Sequence, residues 1–395
     1  MKTSIISRRG FSGGIAALTG SAALGGRSFA QPALPKSPVT LTVIDIAGDL
    51  SLTQKIFENY VKAKPNLVSR FVFTRAPMPE LPSKLKAQQA AGKVDIDIVV
   101  GGYDGLTAGV EEKLWIPLLP TYAAVLPNLQ EILLPGAWRI QQAAQGQGIV
   151  TAYSPYGLLM EYMPNKVKTV PRNAAELLAW SRENKNRFIY TRPANSGPGR
   201  ALMTGLPYLL GDNDPKDPVN GWTKTWEYLK ALGENIEYYP SNTAATIKEF
   251  GEGSRDMMPT TTGWDINPRA LGIVPKEAKV FALDGFHWVS DAHTLQVPKG
   301  VSDDKLAVIL DFINFMMTPK QQANIFDTAY FYPGPAVAAA TIDMAPEESR
   351  QVIAEFGRPE YDALIANHPQ EPPLSTAATV AAFHMWDVMI GAAKH

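Results

Sequence analysis

Apolar positions along this chain fall into two alternating rhythms. "VTLTVIDIAGD" (39–49) is a run of branched apolar residues that ends at Gly48, the pattern of a buried strand. "LTQKIFENYVKAK" follows, with Ile56, Phe57, Tyr60 and Val61 on one helical face. "LPSKLKAQQAAGKVDIDIVVGG" (81–102) repeats that order as a helix, Gly92 as its stop, and the buried strand Val94–Val100. Nearly continuous apolar strands alternating with helices predict α/β architecture with parallel pairing.

The rhythm persists further on. "GQGIVTAYSPYGLLMEYMP" is strand-rich with a joint at Gly157, and "NRFIYTR" (186–192) reads as another strand. "RALMTGLPYLLG" is a helix, and "GDNDPKDPVNG" (211–221) is turn chemistry. "WTKTWEYLKAL" places Trp222, Trp226 and Leu229 on one helical side. "SNTAATIKEFGEG" (241–253) reads as a helix capped by Ser241 or Thr243. "KVFALDGFHWVSDAHTLQVPKG" (279–300) is strand-like. "SDDKLAVILDFINFMMTPKQQANIF" (302–326) carries acids in its first turn and Leu306, Ile309, Ile313 and Met316 at helical spacing. "TAATVAAFHMWDVMIGAAK" (376–394) is a last amphipathic helix.

Length and charge sharpen this picture. A chain of 395 residues exceeds one ordinary core, which predicts two domains. Residues 1–30 read as a targeting segment: Ser7-Arg8-Arg9-Gly10-Phe11, a mild Gly/Ala-rich apolar run, then Ser28 and Ala30 at cleavage positions. The paired arginines predict a twin-arginine signal, an exported mature chain starting near Gln31, and a periplasmic location. Cleavage would remove four of the 37 basic residues and none of the 38 acidic ones, leaving 33 against 38 and a net charge near −5. A mildly acidic surface argues against nucleic acid and anionic membrane as partners. With no cysteine, disulfides, thiol catalysis and thiolate metal sites are excluded.

Several stretches then converge: "AGKVDIDIVVGG", "KLWIPL" (113–118), "LDFINFMMTPKQQANIF" and "YFYPGP" (330–335). Together, from about residue 38 to about 340, the chain resembles an extracellular solute-binding protein of an ABC importer. It is similar to the branch containing spermidine/putrescine-, iron- and thiamine-binding periplasmic proteins. The resemblance implies a two-lobed α/β clamshell, each lobe a mixed sheet flanked by helices, joined by two hinge crossings. It implies a small-molecule solute and a membrane permease as partners, no cofactor, no catalysis, and a monomer. The expected crossings lie near Tyr153–Tyr162 and Phe281–Ala292. Lobe one would be residues 38–155 plus 288–345, lobe two 156–287, and residues 346–395 a helical tail packing across both.

In an open α/β sheet, ligands collect where strands give way to loops and helix N-termini. The resemblance puts ligand contacts in the loop Ile46–Asp49, hence Ala47, and in "GGYDG" (101–105), where Tyr103 or Asp104 can reach a solute past Gly101 and Gly102. Tyr153 and Tyr156 stand at the first crossing, as stacking faces or as packing. "TTTGWD" (260–265) offers hydroxyls from Thr260, Thr261 and Thr262, a stacking face from Trp264 and a charge from Asp265. By resemblance to the polyamine branch, Trp288 and Asp291 form an aromatic–carboxylate ammonium site, with spacing one residue longer than in that branch. Tyr332 before Pro333 matches a ligand-facing tyrosine of the family.

"RPANSGPGR" (192–200) bears on which solute is taken. The polyamine branch places acids here; this chain has Arg192, Asn195 and Ser196. Ser196, Gly197 and Gly199 at a helix start, with Arg192 or Arg200, favour a carboxylate, phosphonate or phosphate. Combined with Asp291, the expected solute is amine-containing, zwitterionic or anionic, with polyamine as the alternative. The resemblance disfavours ferric iron, because adjacent tyrosines are absent from "TTTGWD", and His287 and His293 suggest no metal site. A secreted hydrolase is the competing class. Its one motif, Ser83-x-x-Lys86, lacks companion triplets and lies on a plain helix.

Overall fold

The computed structural model describes residues 32–76 and 80–393, so the targeting segment expected over 1–30 lies outside the described residues. Among the described residues, ten strands run β1 (Val39–Asp45), β2 (Val68–Arg75), β3 (Ile98–Gly102), β4 (Ile149–Gly157), β5 (Leu159–Tyr162), β6 (Met257–Thr260), β7 (Lys279–Phe281), β8 (Trp288–Gln296), β9 (Gly334–Pro335) and β10 (Gln370–Glu371). They form two sheets, and the fold is a two-lobed α/β clamshell. The larger sheet has the order β2-β1-β3-β8-β4-β9, with β10 beside β8. Its β1–β2 and β1–β3 pairs are parallel, while β8 runs antiparallel to β3 and β4. The smaller sheet has the order β6-β5-β7, antiparallel throughout these strands.

Each sheet has its own apolar core. Helix Leu50–Ala63 lays Phe57 and Tyr60 against Phe71 of β2 and Phe312 of helix Asp303–Met316, with Phe57 stacked on Phe312 at 4.5 Å between ring centres. All nine residues of β4 are buried, including the polar Thr151 and Ser154, as expected of a strand covered on both faces. Around the smaller sheet, Trp222, Trp226, Tyr190, Leu206 and Trp386 make a second cluster.

The chain passes between sheets at two places. β4 ends at Gly157 in the larger sheet and β5 begins at Leu159 in the smaller; β7 ends at Phe281 in the smaller and β8 begins at Trp288 in the larger.

Three local expectations need correction. Residues 186–192 contribute a single parallel bridge, Phe188 to Met257, because the amides on either side bond elsewhere: Arg192 N–H donates to Pro240. The helix expected from Arg200 starts at Gly197, with Pro198 in its first turn and the Ser196 hydroxyl accepting from the Gly199 N–H. The cap of helix Thr243–Gly251 is Asn242, whose side chain accepts from the Ala245 N–H.

Beyond residue 346, helices Glu347–Phe356 and Glu360–Asn367 pack against helix Thr262–Ala270. There Asp265, fully buried, accepts from Arg358 at 2.7 and 2.9 Å, from Arg269 at 3.2 Å and from Tyr361 at 2.8 Å.

Candidate functional site

A cavity of about 310 Å³ lies where the two lobes face each other. From the larger-sheet side it is lined by Ala47 after β1, Gly102 at the end of β3 with Tyr103 and Asp104 after it, residues 289–291 and 293 of β8, and Tyr330–Phe331. The smaller lobe contributes residues 193–197, Arg200, Ala201, Thr204, Thr243 and Trp264. Tyr156, at the first crossing, lies at the junction, and Pro373, Leu374 and Thr379 close one side.

Each wall is positioned by short-range chemistry. The loop after β1 is folded around Asp45, whose carboxylate accepts N–H groups of Ala47, Gly48, Asp49 and Leu50 at 3.0, 2.8, 3.0 and 3.2 Å. These include orphan donors at the start of helix Leu50–Ala63, where a negative charge is favoured. On the opposite wall Ser196 caps helix Gly197–Leu210 and also accepts the Thr243 hydroxyl at 2.8 Å. Gly197 is required there: a β-carbon on it would meet the Tyr156 Oη at 1.7 Å. Tyr156 itself adopts a left-handed backbone, φ +74°, an uncommon conformation for a bulky residue.

An ion pair between lobes lines the cavity. The Arg200 guanidinium, on helix Gly197–Leu210, donates to Asp291 Oδ2 of β8 at 2.7 Å. The other Asp291 oxygen accepts the Ala292 N–H at 2.9 Å. Burial works against the Arg200 charge, but Asp291, Tyr156 and Asp104 outweigh it and hold the guanidinium firmly protonated. Burial pushes the Tyr156 hydroxyl up, and the Asp291 charge pushes it further, so it stays a neutral phenol. Beside them His293 Nδ1 lies 3.2 Å from Asp49 Oδ2, a contact whose alignment falls short of a hydrogen bond. Burial opposes protonation of His293, yet the Asp49, Asp291 and Asp45 carboxylates raise it above its ordinary range. Aromatic faces complete the wall: Trp264 meets Tyr330 edge-on at 5.0 Å, and Tyr156 meets Phe331 at 5.8 Å.

Of the residues selected from sequence, Ala47, Tyr103, Asp104, Tyr156, Asn195, Ser196, Trp264 and Asp291 line this cavity. Five do not. Trp288 is three residues from Asp291, so strand alternation sends it to the other face of β8, where its indole donates to the Leu364 carbonyl at 3.1 Å. Arg192 is separated from the cavity by the turn Pro193–Asn195; it lies 3.6 Å from Asp387, and its guanidinium 5.9 Å from the Trp386 ring. Thr261 is fully buried, and Thr262 donates to the Tyr332 carbonyl at 2.7 Å. Tyr332 packs in the cluster of Trp288 and Tyr361. Ser83 and Lys86 stand exposed on helix Leu81–Ala90, with Lys86 paired to Glu112.

His293, Ser290 and Tyr330 line the cavity without having been selected, and so does Arg200, which the sequence offered only as the alternative to Arg192. Period-two alternation from Asp291 along β8 points to Val289 and His293, and the first turn of a Ser-capped helix points to Arg200 over Arg192.

The sequence matches the family described as bacterial extracellular solute-binding protein over residues 55–350. It is 24% identical over 201 residues to the thiamine-binding periplasmic protein of Salmonella typhimurium, covering 47% of this chain and 55% of that protein, so the chain spans about half the length of that curated relative. The fold is similar to a spermidine/putrescine ABC transporter substrate-binding protein from Streptococcus pneumoniae, with TM-score 0.59, 16% identity, and 88% and 99% of the two chains covered. It is also similar to a periplasmic binding protein from Actinobacillus pleuropneumoniae solved with fructose-6-phosphate, with TM-score 0.59, 13% identity, and 90% and 99% covered. Three-quarters of the chain matching one family, together with the two-lobed fold, establishes that this protein belongs to the bacterial extracellular solute-binding family.

Proposed function

We propose that this protein is the substrate-binding component of an ABC importer. It captures a small zwitterionic solute between its lobes outside the cytoplasm and presents the closed form to a membrane permease. The observation that carries the solute class is the Arg200–Asp291 pair, opposite charges on facing walls of one cavity. Arg200 has five N–H donors in a planar fork, and its bond to Asp291 leaves others for a carboxylate or phosphonate. Asp291 and Asp104, beside the rings of Tyr103 and Trp264, suit a primary ammonium. A diamine would bring a second cation toward Arg200, a like-charge approach in a partly desolvated space. The two crossings between β4 and β5 and between β7 and β8 supply the hinge, and solute shifts closure by its differential affinity for the closed form.

A thermal-shift screen of residues 31–395, refolded from denaturant to remove carried-over solute, tests this reading. The panel holds amino acids, 4-aminobutyrate, 2-aminoethylphosphonate, dicarboxylates, putrescine, spermidine, thiamine and sugars. A zwitterion at about a hundred times its Kd is expected to stabilise the protein by about 2.7 kcal/mol, and Arg200→Met to remove the shift. A shift with a polyamine or a neutral sugar alone would overturn the solute class.

A further inference from the structure

The C-terminal segment reaches both lobes. β10 pairs with the start of β8, and Gln370 accepts the Tyr153 hydroxyl at 2.6 Å. Lys216, in the smaller lobe's 211–221 loop, donates to the Pro372 carbonyl at 2.5 Å. Helix Thr376–Met389 then drives Trp386 into the smaller lobe's core, against Tyr190 and Tyr239, with its indole donating to the Tyr190 hydroxyl at 3.1 Å. The other end of this helix meets the larger lobe through polar atoms: the Thr376 hydroxyl touches that of Thr107 and donates to the Asp104 carbonyl at 3.1 Å. Between these anchors Leu374 and Thr379 face the cavity.

The anchors are unequal. Trp386 is 1% exposed inside an aromatic cluster, whereas Thr376 and Thr107 are only half-buried and exchange hydroxyl contacts. Burying an indole stabilises far more than a hydroxyl contact that water can replace. An opening movement therefore breaks the Thr376 end first. This part of the wall also lies beyond residue 350, outside the stretch that matches the family.

We infer that helix Thr376–Met389, rooted through residues 372–375 on β10 of the larger sheet, forms a strap that travels with the smaller lobe, latches onto helix Tyr103–Glu111 on closure, and limits solute length through Leu374 and Thr379. The inference rests on the clamshell reading above. The chain has no cysteine, so Thr107→Cys/Thr376→Cys introduces one defined pair whose oxidation fastens the strap to the larger lobe.

Small-angle scattering of this solute-free variant tests the latch, with thiol titration to count the bond. The expected result is a smaller radius of gyration when oxidised, reversed by dithiothreitol. Equal radii in both states, or failure of the pair to oxidise, would overturn the latch. Thr379→Phe tests the wall by thermal shift across the series from glycine to 6-aminohexanoate. The shift should be lost for the longest wild-type binders first, and an unchanged ranking would overturn the wall's role. A wild type that answers to none of the series would count against the zwitterion reading and the length limit alike, while the scattering result would still decide the latch.

Discussion

Glu161 gives a prediction that needs no knowledge of the solute. It lies in β5, fully buried, with neither carboxylate oxygen hydrogen-bonded, and the Asp265 carboxylate adds like-charge repulsion. Burial, then Asp265, push its pKa well above the ordinary range, against the weaker opposing pull of Arg269 and Arg358. In the unfolded chain the same group titrates near ~4.3. Below that pH both states hold the proton and Glu161 has no pH-dependent effect. Above it the unfolded state releases the proton while the folded state retains it, so stability falls by about 1.4 kcal/mol per pH unit until the folded-state pKa is reached. Glu161→Gln keeps the shape and removes the titration. Other groups titrate alike in both proteins and cancel in the difference. Urea unfolding of both proteins at pH 4, 5, 6 and 7 should show the variant gaining on the wild type by up to about 1.4 kcal/mol per unit, and by at most about 4 kcal/mol at pH 7. A stability difference that stays flat across this range would mean that Glu161 is ionised in the fold, which would refute the reasoning.

Two further substitutions test the site's geometry. Gly197→Ala would set a methyl group 1.7 Å from the Tyr156 Oη, so the ring must move; about 1–3 kcal/mol of stability and most solute affinity should be lost, read by urea unfolding and calorimetry. Arg192→Ala removes only the exposed pair with Asp387 and the Trp386 contact, so stability should fall by no more than about 1 kcal/mol and solute affinity should stay as it was.

Much of this was legible in the sequence because it rests on period and length. The apolar runs of β1 and β3 and the amphipathic helices between them announced the larger lobe, and Gly157 marked the joint where β4 gives way to β5. The site was legible where a loop follows a strand, as at Ala47, Tyr103 and Asp104. It was misread where a motif match overrode strand parity. Trp288 and Asp291 match an ammonium site by residue type, but residues three apart along a strand face opposite ways. The choice of Arg192 over Arg200 turned on where helix Gly197–Leu210 begins, and helix ends are the least certain feature of a sequence. The part played by Leu374 and Thr379 comes from contacts between segments far apart in the chain, which no local pattern encodes.

The cavity is expected to demand a solute carrying both charges, a carboxylate or phosphonate against Arg200 and an ammonium against Asp291 and Asp104. Calorimetric titration of the stripped protein with 4-aminobutyrate and with putrescine tests it directly, because the two compounds differ chiefly in exchanging a carboxylate for a second ammonium. Saturable one-to-one binding of 4-aminobutyrate, lost in Arg200→Met, with no heat from putrescine, is the result predicted. Putrescine binding that survives Arg200→Met while 4-aminobutyrate gives none would contradict it.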